Sequence, residues 1–122
     1  MIAMILAAGR GERLRPLTDS IPKPLVEVAG QTLLGRHLQR LAAAGFKRAV
    51  INVSHLAALI TRRFGDGSRA GMKIDWSHEA APLETAGGIA LARGLLGPEP
   101  FLLVNSDIWC DYAFSQIGRA HV

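Results

Sequence analysis

The feature that most constrains this chain is the stretch from Met4 to Pro24, in which an apolar run leads into a loop with two glycines. The run Met4–Leu6 predicts the end of a buried strand, because an apolar run closed by glycine is typical of a parallel sheet covered on both faces. The small residues Ala8, Gly9 and Gly11 allow backbone N–H groups to approach a ligand closely. Four cations lie in the same stretch: Arg10, Arg13, Arg15 and Lys23. Backbone donors and cations at the end of a strand predict a phosphate-binding loop.

Two common phosphate loops do not fit this stretch. The dinucleotide fingerprint needs a third glycine at the position of Leu14, which disfavours an NAD-dependent oxidoreductase. The ATPase loop ends in Gly-Lys-Ser or Gly-Lys-Thr, and the chain contains neither triplet. Pro16 and Pro22 also prevent the loop from running straight into a long helix. The remaining pattern is AAGxGxRLxPLTxxxPKP, an extended loop in which Arg13 and Lys23 are both candidate phosphate ligands.

Hydrophobic periodicity downstream of the loop predicts alternating strands and helices. After a short extended piece at 25–29 and a turn at Gly30, we expect helices over residues 32–44, 55–64 and 89–96 and strands over 48–54, 72–79 and 101–104. The residues between 82 and 88 are predicted to be a loop. This order is that of a parallel α/β sheet. If the strands lie in the order 3-2-1-4, the glycine loop and the end of the last strand face the same crevice.

Two further segments are candidates for ligand binding. Asp107 follows a buried apolar strand, and a carboxylate in that position near a phosphate loop can hold Mg²⁺ between protein and phosphates. The segment 83–88 contains Gly87 and Gly88, which allow the backbone to approach a flat ligand such as a base. The helix after it presents free N–H groups. The sequence therefore predicts a magnesium ligand and a second nucleotide-binding loop.

Composition restricts the class of partner. The formal charge is +4, but aromatic residues make up only 6% and the basic residues beyond the loop are spread over separate elements. We therefore expect a small phosphorylated ligand and no nucleic acid. The longest apolar run, 2–8, is too short to cross a bilayer, and no basic segment precedes it, so we expect a cytoplasmic protein without a membrane partner.

The loop pattern resembles the signature of the sugar-1-phosphate nucleotidyltransferases. The resemblance covers residues 1 to about 114, and the segments ETAGGI and VNSDIWCDYAF look most like the N-acetylmuramate α-1-phosphate uridylyltransferases of bacterial cell-wall recycling. Those enzymes usually read NGD where this chain has Asn105-Ser106-Asp107. The resemblance implies the nucleotide-diphospho-sugar transferase fold, a Rossmann-like three-layer α/β sandwich with a mostly parallel sheet, here truncated at the C-terminal side.

The resemblance also implies a reaction, in which a nucleotidyl group passes from UTP to a sugar 1-phosphate and pyrophosphate leaves. Arg13 would hold the pyrophosphate, Lys23 the α-phosphate or the sugar phosphate, and Asp107 the Mg²⁺ cofactor. Residues of the two loops would bind the nucleotide: Ala7, Ala8, Gly9, Gly11, Glu84, Thr85, Gly87 and Gly88.

Several alternatives stay open from the sequence. A mannose- or glucose-1-phosphate nucleotidyltransferase has the same signature, and a non-catalytic regulatory subunit has the same fold. We interpret residues 1–114 as the N-terminal, nucleotide-binding part of a longer domain and 115–122 as a non-native tail. The chain alone is then expected to lack catalytic activity.

Overall fold

The computed structural model describes residues 1–9, 20–81, 83 and 85–106. The strands are β1 Ile2–Leu6, β2 Glu27–Val28, β3 Gln31–Thr32, β4 Arg48–Val53, β5 Lys73–His78 and β6 Phe101–Asn105. The helices are α1 Leu33–Ala43, α2 Ala57–Phe64 and α3 Thr85–Leu96. The predicted domain boundary at 114 and the predicted tail 115–122 lie outside the described residues.

Four strands form one parallel sheet in the order β5-β4-β1-β6. β1 pairs with β4 on one side and with β6 on the other, so that Met4 lies opposite both Val50 and Leu103. The side chains of Ala3, Met4 and Ile5 are 0% exposed, as expected for a central strand with both faces covered. Among these four strands this is the 3-2-1-4 order that the shared crevice requires, and the ends of β1 and β6 lie side by side.

Helices cover both faces of this sheet. Successive side chains of a strand point to opposite faces. Ala3 and Ile5 accordingly belong to the cluster that contains the buried side of α1, whereas Met4 packs with Ala92 and Leu96 of α3. The fold is therefore an α/β sandwich of three layers, as predicted.

α1 forms where the periodicity predicts a helix. Thr32 caps it, because its Oγ1 accepts a hydrogen bond from the backbone N–H of Gly35 at 2.9 Å. Gly45 follows the helix with a φ of 94°, a conformation that favours glycine. Three leucines at spacings of four and three are 0% exposed: Leu34, Leu38 and Leu41.

The segment before α1 differs from the predicted extended piece. Lys23–Leu25 form a short 3-10 turn, in which the N–H groups of Leu25 and Val26 donate to the carbonyls of Pro22 and Lys23 at 2.9 and 3.0 Å. β2 and β3 then pair as an antiparallel hairpin. The predicted turn at Gly30 is confirmed: its φ is 83° and that of the preceding Ala29 is 54°, the positive pair that a tight two-residue hairpin turn requires.

Two helices begin two or more residues away from the predicted position, whereas α1 begins one residue after it. α2 begins at Ala57, because Leu56 has a left-handed φ of 54° and cannot belong to a right-handed helix. α3 begins at Thr85 instead of 89, so Gly87 and Gly88 lie in its first turn. Among the helices of the described ranges, none is long and apolar enough to cross a membrane.

Candidate functional site

The carboxyl ends of the four parallel strands meet at one edge of the sheet, and the glycine loop begins there. Ala7 and Ala8, directly after β1, are only 3% and 4% exposed. Gly9 is exposed, has no positive φ, and no described atom lies within 4 Å of the position that a Cβ would occupy. Packing within the described residues therefore does not require a glycine at position 9.

A buried pair of polar side chains lies next to this loop. Asn52, near the end of β4, accepts a hydrogen bond through Oδ1 from the backbone N–H of Ala7 at 2.7 Å. Its Nδ2 donates to Oε2 of Glu79, just after β5, at 2.9 Å. The other carboxylate oxygen, Oε1, accepts from the backbone N–H of Leu83 at 2.9 Å. We call Asn52 and Glu79 the Asn–Glu bridge; it joins the start of the glycine loop to the segment before α3.

The two glycines of α3 are explained in part by packing. A Cβ on Gly88 would lie 2.9 Å from Nδ2 of Asn52 and 3.0 Å from Oε2 of Glu79. A Cβ on Gly87 would lie 3.1 Å from that of Leu83. Gly88 thus lets the first turn of α3 pack directly on the Asn–Glu bridge, and the predicted contact of both glycines with a base stays a prediction.

Lys23 lies in a backbone segment that is held firmly. Pro22 is fully buried and Pro24 is buried, and the 3-10 turn between them is closed by the two hydrogen bonds described above. The carbonyl of Val26 accepts from the N–H of Leu33 at 3.1 Å, which ties the turn to the start of α1. The backbone of Lys23 is therefore anchored, while the predicted phosphate contact of its side chain stays a prediction.

Other predicted site residues cannot be described in the same way. Gly11, Arg13, Glu84 and Asp107 lie outside the described residues, and the side chain of Thr85 is likewise not described. Within the ranges that the structure describes, no three His, Cys, Asp or Glu side chains converge in a way that could hold a metal ion. The described residues do not by themselves form a magnesium site, and Asp107, the predicted Mg²⁺ ligand, lies outside them.

At this edge, sequence reasoning missed Asn52 and Glu79 and noted Ser106 only as a departure from the NGD pattern. Ser106 donates its hydroxyl to the carbonyl of Leu6 at 2.6 Å, and its backbone N–H donates to the same oxygen at 3.2 Å. Ser106, Asn52 and Glu79 are 3%, 3% and 5% exposed. Each lies at or just beyond the end of an apolar strand, and that position is the one signal in the sequence that could have identified them.

Comparison with known proteins places this arrangement in a family. The family model described as nucleotidyl transferase matches residues 2–122. An N-acetylmuramate alpha-1-phosphate uridylyltransferase from Neisseria meningitidis is 58% identical over 94% of this chain and 50% of its own length. A mannose-1-phosphate guanylyltransferase catalytic subunit beta from Danio rerio is 44% identical over 99% of this chain and 34% of its own length.

A solved structure supports the same assignment. The crystal structure of HddC from Yersinia pseudotuberculosis complexed with GMP-PN superposes with a TM-score of 0.82 at 30% identity, over 94% of this chain and 51% of that one. The chain thus spans between 34% and 51% of the length of these relatives. The match along nearly the whole chain, together with a parallel sheet whose central strand leads into the glycine loop, shows that this chain belongs to the nucleotidyl transferase family.

Proposed function

We propose that this protein transfers a uridylyl group from UTP to N-acetylmuramate α-1-phosphate and releases pyrophosphate. The observation that carries the proposal is the pairing of β1 with β6, because the glycine loop and the segment that leads to Asp107 then start from adjacent strand ends. The 58% identity to a relative with this activity in its name supports the choice of base and sugar. Such a reaction belongs to cell-wall recycling, and we propose that it takes place in the cytoplasm.

The chemistry requires alignment and charge neutralisation more than covalent catalysis. An oxygen of the sugar phosphate attacks the α-phosphorus of UTP and forms a new P–O bond. The bond from that phosphorus to the bridging oxygen breaks, and pyrophosphate leaves with the electron pair. Preorganised cations that face the developing charge lower the barrier of such a transfer.

We assign the phosphate contacts to two cations. Arg13 binds the departing pyrophosphate, because a guanidinium group can bind phosphate oxygens through two parallel hydrogen bonds. Lys23 binds the α-phosphate or the sugar phosphate from its anchored turn. Mg²⁺, when bound, would neutralise phosphate charge, and Asp107 is its proposed ligand.

The nucleoside is proposed to lie between the two loops. On one side are Ala7, Ala8, Gly9 and Gly11, which have small side chains or none, so that a ligand can approach this part of the chain closely. On the other side are residues of the segment before α3 and of its first turn: Glu84, Thr85, Gly87 and Gly88. The first N–H groups of a helix have no partner within the helix and are therefore suited to bind acceptor groups of a ligand.

A second candidate is guanylyl transfer to mannose 1-phosphate or a related sugar phosphate. The 44% identical relative carries this activity in its name, and HddC is described in complex with GMP-PN. A non-catalytic regulatory subunit is a third candidate, which Arg13 and Lys23 disfavour because both signature cations are present.

The decisive experiment is a substrate panel with the protein expressed from its full reading frame. Pyrophosphate release is measured with UTP, GTP, CTP, ATP and dTTP, each with N-acetylmuramate, mannose and glucose 1-phosphates. We expect the highest kcat/KM for UTP with N-acetylmuramate α-1-phosphate. Highest activity with GTP and mannose 1-phosphate would favour the second candidate, and nucleotide binding without turnover on any pair would favour the third.

A further inference from the structure

We infer that Asn52 and Glu79 are positioning residues for the nucleotide, because the Asn–Glu bridge fixes the glycine loop relative to the first turn of α3. This inference rests on the proposed function, in which these two segments bind the nucleotide from opposite sides. Neither residue is proposed to touch the substrate. They act through the backbone of Ala7 and Leu83, to which they are hydrogen-bonded at 2.7 and 2.9 Å.

The order of donors and acceptors in the bridge is fixed at both ends. The groups at its two ends, the backbone N–H of Ala7 and that of Leu83, are both donors. The bridge must therefore present an acceptor at each end, with one donor and one acceptor facing each other in the middle. Asn52 provides an acceptor and a donor, and the carboxylate of Glu79 provides two acceptors, so all three hydrogen bonds form.

Alternative residue pairs of the same size break this pattern. With Gln at position 79, one side-chain NH₂ group would face either the NH₂ group of Asn52 or the N–H of Leu83. With Asp at position 52, two carboxylate oxygens would face each other across the 2.9 Å that now separates Nδ2 from Oε2 of Glu79. Because both residues are nearly fully buried, water cannot readily replace a lost partner.

The bridge also determines where α3 begins to pack. The absent Cβ of Gly88 leaves room for Asn52 and Glu79, whose nearest atoms would lie at 2.9 and 3.0 Å from it. A shift of either side chain would therefore move the first turn of α3 as well as Leu83. This connects the position of the second nucleotide-binding segment to that of the first, across β1, β4 and β5.

The sharpest test exchanges the two functional groups. Asn52→Asp and Glu79→Gln each disrupt the bridge, whereas the double variant restores it: the aspartate accepts from Ala7 and from the glutamine NH₂ group, and the glutamine oxygen accepts from Leu83. In the protein expressed from its full reading frame, we expect each single variant to raise the KM for UTP about tenfold or more. The double variant should return it to within about threefold of the wild type, and the KM for the sugar phosphate should change little in all three.

Asp75→Asn is the matched control. Asp75 accepts a hydrogen bond from Arg48 at 2.7 Å. This bond also joins β4 to β5, but it lies toward the amino-terminal end of β4, away from the glycine loop. Its substitution should leave the KM for UTP unchanged. The stability of every variant is measured by urea unfolding, so that a general loss of folding is distinguished from a change in nucleotide binding.

Three results would overturn the inference. In the first, both single variants keep the wild-type KM for UTP. In the second, the KM for UTP of the double variant is no lower than that of the single variant with the higher KM. In the third, the single variants lose as much stability as Asp75→Asn, and their KM for UTP is no higher than that of Asp75→Asn.

A second measurement separates this inference from the proposed function. Amide hydrogen exchange, followed by mass spectrometry on peptides that contain Ala7–Gly9 and 83–88, does not require the correct nucleotide. Glu79→Gln should accelerate exchange at Ala7, although the N–H of Ala7 donates to Asn52 and not to Glu79. If the wild type binds no nucleoside triphosphate, the proposed function fails, and unchanged exchange at Ala7 would separately refute the coupling of the two segments.

Discussion

Replacing Gly88 by alanine tests the packing of α3 on the Asn–Glu bridge. The added Cβ would lie 2.9 Å from Nδ2 of Asn52 and 3.0 Å from Oε2 of Glu79, closer than a carbon normally approaches either atom. Neither side chain can move away cheaply, because each is held by hydrogen bonds and nearly fully buried. Overpacking of this kind costs about 1–3 kcal/mol.

An opposing contribution comes from the helix itself, since alanine is a better helix former than glycine by up to about 1 kcal/mol. Gly94 provides the matched control: it lies in the same helix, is exposed, and no described atom lies within 4 Å of its hypothetical Cβ. Gly94→Ala should therefore stabilise the protein by up to about 1 kcal/mol, whereas Gly88→Ala should be about 1–3 kcal/mol less stable than Gly94→Ala.

The assay is urea unfolding of both variants and the wild type, expressed from the full reading frame, with the KM for UTP measured in parallel. Both variants gain the helix propensity of alanine, so the difference between their free energies of unfolding gives the packing cost at Gly88. If Gly88→Ala is as stable as Gly94→Ala, the first turn of α3 does not pack on the Asn–Glu bridge, and the bridge does not couple α3 to the glycine loop.

Two further predictions concern single side chains. Lys23→Ala should lower kcat about 10²–10³-fold without loss of stability, because the proposed electrostatic contact in the transition state is removed. Lys47→Ala is the control, since Lys47 is exposed and precedes β4. Near-normal turnover of the Lys23 variant would show that its charge is not used. Ser106→Ala should lower the free energy of unfolding by about 0.5–1.5 kcal/mol, because the 2.6 Å hydrogen bond to Leu6 is lost while the backbone bond at 3.2 Å stays. Urea unfolding measures this loss, and an unchanged midpoint and slope would show that the hydroxyl bond contributes no net stability.

The parts of the fold that local pattern determines could be predicted from the sequence. The apolar run of β1 indicates burial on both faces, and the leucines of α1 recur at helical spacing before Gly45. The start of α3 was predicted four residues too late because two consecutive glycines have low helix propensity. Tertiary packing overrides that propensity at Gly88, where a larger residue would collide with the bridge.

The polar contacts of the site could not be predicted for a different reason. Asn52 and Ala7 are 45 residues apart in sequence, Asn52 and Glu79 are 27 apart, and Ser106 and Leu6 are 100 apart. No local spacing encodes such pairs; they follow from strand order and from the register of each strand pair. Once β4 lies beside β1 with Leu6 opposite Asn52, the amide of Asn52 is next to the first residue of the glycine loop.

The peptide group between Leu6 and Ala7 is held from both neighbouring strands. Its carbonyl oxygen accepts two hydrogen bonds from Ser106 after β6, and its N–H donates to Asn52 on β4. Because a peptide group is planar and rigid, contacts at its two ends fix its orientation, and with it the direction in which the chain leaves β1. The hydrogen bonds then continue through Glu79 to Leu83, so that one connected set crosses all four strand ends. The proposed phosphate contacts of the glycine loop require that the chain leave β1 in a constant direction. The buried polar residues at this edge provide that constancy, which explains why they lie at the strand ends and not in the loop itself.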